Sequence, residues 1–561
     1  MQKSRSRRAL ALIGILSLVA ACGDDLVDPI DGTPPATPTG LVVAQMSLTS
    51  VRVTWNTTAD ATSYVLERAA ATNPGVFAEI ATSLTDTAYT DAGLTEGVAY
   101  SYRVAAANAD GTSSFSTAAT ITTGVAAATL TGNIAANRTL FADTVYTLSG
   151  YVKVQNGATL TIQPGTTIVG DTMVLGSSLW ILRGADLIAE GTATDPIVFT
   201  SARTPGNRAP GDWGGIVIIG NGVINRTGAT ILTEGPASIS ENYAGGTDNA
   251  DNSGSLRYVR IEFAGYDVSN GAGQELNGLS MYAVGSGTRL EYVQTLAGLD
   301  DSFEFWGGAV QGRYLISYEA GDDHFDWSEG YRGKLQYIVA FQTQRLTPRP
   351  GTGSVSSDPR GFEADGCDPG VSGCTVSGTG TSEPFSNPTI ANFTLVGTGN
   401  LGGFPTDGNG MVLRRGTAAW LHAGIVARFK GIGCQMRDAF TDSLRLRDSL
   451  AINNMIFAEN FGGNYDGAAA VDRFCQESKF AAANHRATAN AADLFTSLNP
   501  TGLDWTPPAS SLPTTGGSTV ALPAARSAGF FGGTMASTAY VGAADPAGPK
   551  WWAGWSNYDI N

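Results

Sequence analysis

Lysine and histidine are nearly missing from this chain. Its 561 residues include six lysines and three histidines, and charged residues make up only 15%. His324, His422 and His485 have no ligand spacing around them, which argues against a histidine-based zinc centre. A net charge of −16 with so few lysines excludes the basic surface that nucleic acid requires. Cysteine is scarce too: five residues without a CxxC pair do not suggest a cysteine-bound metal. After residue 19 no apolar run is long enough to span a bilayer. Phosphate-binding loops, dinucleotide fingerprints and nucleophile motifs are not found. What is abundant is glycine, at 71 residues, together with Thr, Ser, Asn and β-branched residues. With 42% hydrophobic content this is the composition of a folded, all-β chain.

The N-terminus carries an address. Residues 2–8 are basic (QKSRSRR), residues 9–19 are apolar (ALALIGILSLV), and Ala20, Ala21 and Cys22 follow. This resembles the signal peptide and lipobox of bacterial lipoprotein precursors. The resemblance implies removal of residues 1–21 and lipidation of Cys22, leaving acyl chains as the membrane anchor. Losing Lys3, Arg5, Arg7 and Arg8 would take the net charge to about −20. Glycine, not aspartate, follows Cys22, so the resemblance leans to the outer membrane or cell surface of a Gram-negative bacterium. Residues 22–36 read as an acidic, proline-containing tether. The remaining cysteines, Cys367, Cys374, Cys434 and Cys475, are even in number, and in an exported chain that suggests two disulfides. Proximity pairs Cys367 with Cys374 and Cys434 with Cys475.

Residues 37–124 alternate in short strands such as SVRVTWN, SYVLERA and YSYRVAAAN. Trp55 in an early strand and Tyr100 after Leu94 resemble a fibronectin type III domain, with its buried tryptophan and corner tyrosine. The resemblance implies a spacer.

A repeat follows. LDDSFEFWGG (299–308) and GDDHFDWSEG (321–330) align at an offset of 22 residues, and RGFEADG places Phe362 and Glu363 in the same register. Such a period with short strands predicts a β-solenoid over 130–460. GATLTIQPGTTI and ADLIAEGTATDPIVFTS resemble the opening coils of right-handed parallel β-helices of the pectate-lyase-like superfamily. The expected fold is therefore a fibronectin type III sandwich, a right-handed parallel β-helix, and a helical, Trp-rich cap over 461–561. Two insertions, 222–254 and 345–387, interrupt the period and are long enough to be functional.

The repeat also aligns chemistry. Phe303, Phe325 and Phe362 are predicted to stack inward, with Leu279 before them and Met411 after. Ser280, Glu304, Asp326, Glu363 and Val412 then form the neighbouring outward column. Asp300, Asp301, Asp322 and Asp323 lie at the turn before it. Stacked carboxylates repel unless a cation neutralises them. Asp300, Asp301, Glu304, Asp322, Asp323, Asp326 and Glu363 therefore form a candidate site, and an all-oxygen set suits calcium. Taken alone, Asp300 and Asp322 also fit corner residues that bond their own backbone amides. Trp306, Arg414 and Arg415 are expected to edge the patch and contact a ligand.

Two functions are compatible with this pattern. One is a non-catalytic lipoprotein with a calcium-stabilised β-helix, in an adhesive or envelope-structural role, binding a glycan or an outer-membrane protein. The other is a calcium-dependent uronate lyase, since DDHFD resembles the Asp-rich turns of pectate lyases. That resemblance implies Lys334 as the base, with Arg332 and Arg345 as substrate clamps. Lys334 paired with the acidic patch, or facing solvent, is the alternative.

Overall fold

A computed structural model describes residues 32–560, except 48, 125, 268, 270–273, 375–381, 400–407, 468–473 and 516–518. The signal peptide, Cys22 and most of the tether lie outside the described residues. The chain divides at Gly124 into two units.

The first unit is an antiparallel sandwich. Val42–Ser47, Ser50–Thr54 and Ala88–Ala92 form one sheet. Ser63–Ala70, Ala78–Leu84, Ala99–Asn108, Gly111–Thr112 and Ala119–Thr122 form the other. Strand alternation puts Val51, Val53, Trp55, Leu66, Tyr102 and Val104 in the core. The Thr95 backbone N–H donates to the Tyr100 hydroxyl (3.0 Å), the corner bond the sequence predicts.

The second unit is a parallel β-helix. One ten-stranded sheet and one seventeen-stranded sheet climb it coil by coil. Apolar residues of both fill its axis, from Leu130 to Phe480. Leu279–Tyr282, Phe303–Trp306, Phe325–Ser328, Phe362–Asp365 and Met411–Arg414 are successive strands of the smaller sheet. Their register is the predicted one: Leu279 pairs with Phe303, Phe303 with Phe325, Phe325 with Phe362, and Phe362 with Met411. The Phe303 and Phe325 rings stack at 5.0 Å.

In the larger sheet, Gly254–Glu262, Arg289–Leu296, Gln311–Tyr318 and Lys334–Phe341 each turn a corner in mid-strand. Tyr258, Tyr292, Tyr314 and Tyr337 make that turn at φ 48°, 56°, 60° and 59°. Left-handed backbone is costly for a bulky residue. The stacking of the four rings, at 4.3, 4.5 and 5.1 Å, offsets part of that cost.

The C-terminal segment closes over this corner. Trp555 meets Tyr258 and Tyr292, and Trp551 meets Tyr314. Side-chain amides hold its backbone. Gln336 donates to Ala536 O (2.8 Å) and accepts from Ala536 N (3.0 Å). Gln294 pairs in the same way with Asn557, at 2.5 and 2.7 Å. Gln311 reaches Gly529 O and Phe531 N, and Asn454 pairs with both backbone groups of Val520.

The C-terminal region differs from the expected helical cap. Among the described residues only Ala439–Arg445 and Ala524–Ser527 are α-helical. Within 461–561 the chain instead holds 3-10 turns at Glu477–Phe480 and Ala491–Leu494, with strand Arg486–Thr488 pairing in parallel with Ile456–Ala458. Alanine content suggested helix, but docking onto the last coil outweighs propensity. The solenoid thus continues past 460. Both disulfides have the expected partners, Cys367–Cys374 and Cys434–Cys475. No helix among the described residues is long and apolar enough to cross a membrane.

Candidate metal centre

The repeated turns before the strands build the floor of the site. Two residues ahead of each inward residue stands Asn277, Asp301, Asp323 or Arg360. Each of the first three uses Oδ1 to accept the backbone N–H of its counterpart in the next coil. Asp301 N donates to Asn277 (3.1 Å), Asp323 N to Asp301 (2.8 Å) and Arg360 N to Asp323 (2.6 Å). The sequence suggested Asp300 and Asp322 as backbone-bonding corner residues. That role belongs to Asp301 and Asp323, and it runs between coils. Asp322 Oδ1 is instead buried with no hydrogen-bond partner among the described residues, and so is Asp326 Oδ1.

The seven predicted carboxylates converge. Asp300, Asp301 and Asp322 form one group, Asp301, Glu304 and Asp326 a second, and Asp323, Asp326 and Glu363 a third. Within each group one oxygen per residue lies within 4.8 Å of the others. These clusters could hold metal ions. They line a cleft of about 600 Å³ with Glu234, Asp267 and Glu275, which the sequence pattern did not reveal. These three come from segments outside the repeat, so no register pointed to them. Asn277 and Arg360 were findable: extending the DDSF alignment one coil each way lands on both. Among the described residues no lysine or arginine lines the cleft.

The column expected to face outward is largely covered: Ser280, Glu304, Glu363 and Val412 are buried and Asp326 is half-buried. All four residues of Phe303–Trp306 are buried, because the insertions pack over this sheet. Low dielectric and crowding then favour the protonated acids. Burial, followed by the neighbouring Asp322, raises the Asp300 carboxyl well above its usual range. Burial with Asp300 does the same to Asp301, burial with Glu234 to Glu304, burial with Asp365 to Asp326, and burial with Glu275 to Glu234. Asp322 is pushed up to about 7 by burial and Asp323. Glu304 accepts a 2.5 Å hydrogen bond from Asn277 Nδ2.

Several expected ligand residues are engaged elsewhere. Trp306 is 7% exposed and stacks on Tyr282 at 4.0 Å, so its ring offers no platform. Arg414 pairs with Glu363 and with Asp365 (2.7 Å), and Arg415 with Asp365 (2.5 Å) and Asp368 (3.0 Å). Both arginines are counter-charges of the protein's own acids. Lys334 opens a strand of the larger sheet, beside Gln311 and Thr389. Burial lowers its pKa, and Arg526 is the charged group that adds to the effect. It neither lines the cleft nor pairs with the patch. Arg332 faces Glu383 and donates to Phe385 O, and Arg345 is also absent from the lining. His324 lies inside the helix with Nδ1 2.5 Å from Ser317 Oγ, and burial pushes it down to about 4. A neutral interior imidazole is not part of the acidic site.

Comparison with known proteins agrees with this architecture. Residues 36–122 match the fibronectin type III domain. A Clostridium thermocellum Fn3-like protein is 36% identical over 16% of this chain and 92% of its own (TM-score 0.15). Titin domains A168–A170 are 29% identical over 16% of this chain and 32% of theirs (TM-score 0.15). A poly(3-hydroxybutyrate) depolymerase of Ralstonia pickettii is 38% identical over 106 residues, 19% of this chain. The chain spans a fifth of that relative's length. Residues 132–506 match the pectate-lyase like beta helix domain, and the chain belongs to that family.

Proposed function

We propose that this is an exported lipoprotein whose β-helix is held together by calcium and serves an adhesive or envelope-structural role without catalysis. The observation that carries the reading is the cleft itself. Among the described residues ten carboxylates line it, and no basic side chain does. Acids crowded in that number, four of them buried and the rest half-buried, favour a cation among them, and hard oxygen ligands with flexible geometry select calcium over zinc or magnesium. Calcium would be held among the carboxylates of these groups, and its charge would tie the insertion bearing Glu234 to the coils beneath. The placement of Lys334 on the other sheet, beside Arg526, supports a non-catalytic role over a uronate lyase. The lipobox around Cys22 supports anchoring in the outer membrane or at the cell surface. The net charge supports a glycan or envelope protein as partner over nucleic acid.

The test is thermal unfolding of the purified chain in calcium and in chelator. A calcium-dependent rise in midpoint that Asp322→Asn/Asp326→Asn removes is expected. No shift at millimolar calcium sinks the reading. A new ultraviolet absorbance from uronate polymers, lost in Lys334→Ala, would replace it with the lyase.

A further inference from the structure

The three carboxylate groups are not equivalent. In the third, Asp323 Oδ1 accepts from Arg360 N (2.6 Å) and Asp323 Oδ2 from Arg360 Nη1 (3.0 Å). Glu363 faces Arg360 through Oε2 and Arg414 through Oε1. Two guanidinium groups therefore already fill the place of a cation there. In the first group, Asp322 Oδ1 has under 1 Å² of accessible surface and no hydrogen-bond partner. In the second, Asp326 Oδ1 is in the same condition. A buried acceptor without a donor costs about 1–3 kcal/mol, more when charged. The third group shares Asp326 and also holds Glu363 Oε1 without a well-formed hydrogen bond, so the arginines set it apart: among the described residues neither of the first two groups includes an arginine ion pair, whereas two of the third group's three acids do. Asp301 belongs to both, and only its Oδ1 is engaged, by Asp323 N.

We propose that the cleft takes two divalent cations side by side, one among Asp300, Asp301 and Asp322 and one among Asp301, Glu304 and Asp326, with Asp301 as the shared ligand. The third position is closed by Arg360 and Arg414. This rests on the cation reading above and adds its stoichiometry and order. A carboxylate bridging two ions is the arrangement of two-metal sites. Here it makes the ions interdependent, because ordering Asp301 for one orders it for the other.

The experiment is calorimetric titration of the metal-stripped full chain with calcium chloride alone. Two ions per chain are expected. Asp322→Asn and Asp326→Asn should each leave one, and Asp301→Asn should weaken both by at least tenfold. Binding of a single ion, or of three, overturns the two-ion assignment and leaves the cation reading standing. Loss of an ion in Glu363→Gln also overturns it, because the third position would then be in use. Absence of any binding overturns both. Should a variant fail to fold, terbium-soaked crystals of the unsubstituted chain decide the same question. Two anomalous peaks flanking Asp301 support the assignment, and one peak or a peak at Glu363 refutes it.

Discussion

One column of side chains runs through the smaller sheet and changes character along the solenoid. It reads Lys153, Trp180, Val217, Ser280, Glu304, Asp326, Glu363, Val412 and Gln435 in continuous register. In the early coils Trp180 and Val217 pack with Ile231, Tyr243 and Leu276 of the covering segments. Three coils later the same backbone positions hold carboxylates, and the covering segments contribute Glu234 and Glu275. Strand geometry and spacing are alike in the two regions. The early region is stabilised by apolar burial. The acidic region concentrates ionisable acids about 4.8 Å apart, which protonation or counter-charge must relieve. The solenoid is thus a neutral frame in which a short run of residues creates a site, and its insertions must match that run in polarity.

The largest expected effect comes from removing the cations. At a calcium concentration a hundredfold above Kd, each site contributes about 2.7 kcal/mol. Stripping two sites should lower the unfolding midpoint by calorimetry, with the acidic coils losing hydrogen-exchange protection before the coils around Trp180. Next, Arg360→Ala leaves Asp323 buried without its ion-pair partner and Glu363 with Arg414 alone, at a cost of about 3–5 kcal/mol. Denaturant unfolding in saturating calcium measures it.

A smaller effect changes sign with conditions. At a pH high enough to ionise the raised acid, Asp326→Asn keeps the shape and removes one stacked charge, so in chelator it should stabilise by up to about 1 kcal/mol. In calcium it should destabilise, since a ligand is lost. Equal effects in both media would refute the view that repulsion defines the acidic region.

The pH dependence of the metal-free chain follows from the raised acids. Asp322 sits at about 7 when folded, against an unfolded value of 3.8. Its contribution to stability is complete below the unfolded value and is lost as pH rises through 7. In chelator the midpoint should therefore fall between pH 5 and 8, and calcium should flatten that fall by replacing protons. A midpoint that rises over that range in chelator would contradict the shift.

Much of the site was legible because the repeat fixes register. Once Phe303, Phe325 and Phe362 are aligned, every residue of those strands has a defined neighbour. All seven carboxylates fall into the three groups for that reason. What was not legible lies outside the period. Glu234, Asp267 and Glu275 come from segments whose path depends on tertiary packing. The exposure of Trp306 was misread for the same reason: alternation sets its face, but only the covering segment determines whether solvent reaches it. Arg414 and Arg415 were placed correctly in sequence space, and their partners Asp365 and Asp368 are a coil away. Helix in the C-terminal region was inferred from local composition, which carries no information about the coil it docks against.

The amide clamps of the C-terminal segment have a consequence for variation. Gln294, Gln311, Gln336 and Asn454 grip peptide groups, which every residue but proline presents alike. Such a grip reads the path of the main chain and ignores the letters written on it. The exposed positions between 521 and 540 are therefore free to vary while the buried Phe530 and Met535 are not, and a label could be stitched along that seam with proline at a clamped position as the forbidden letter.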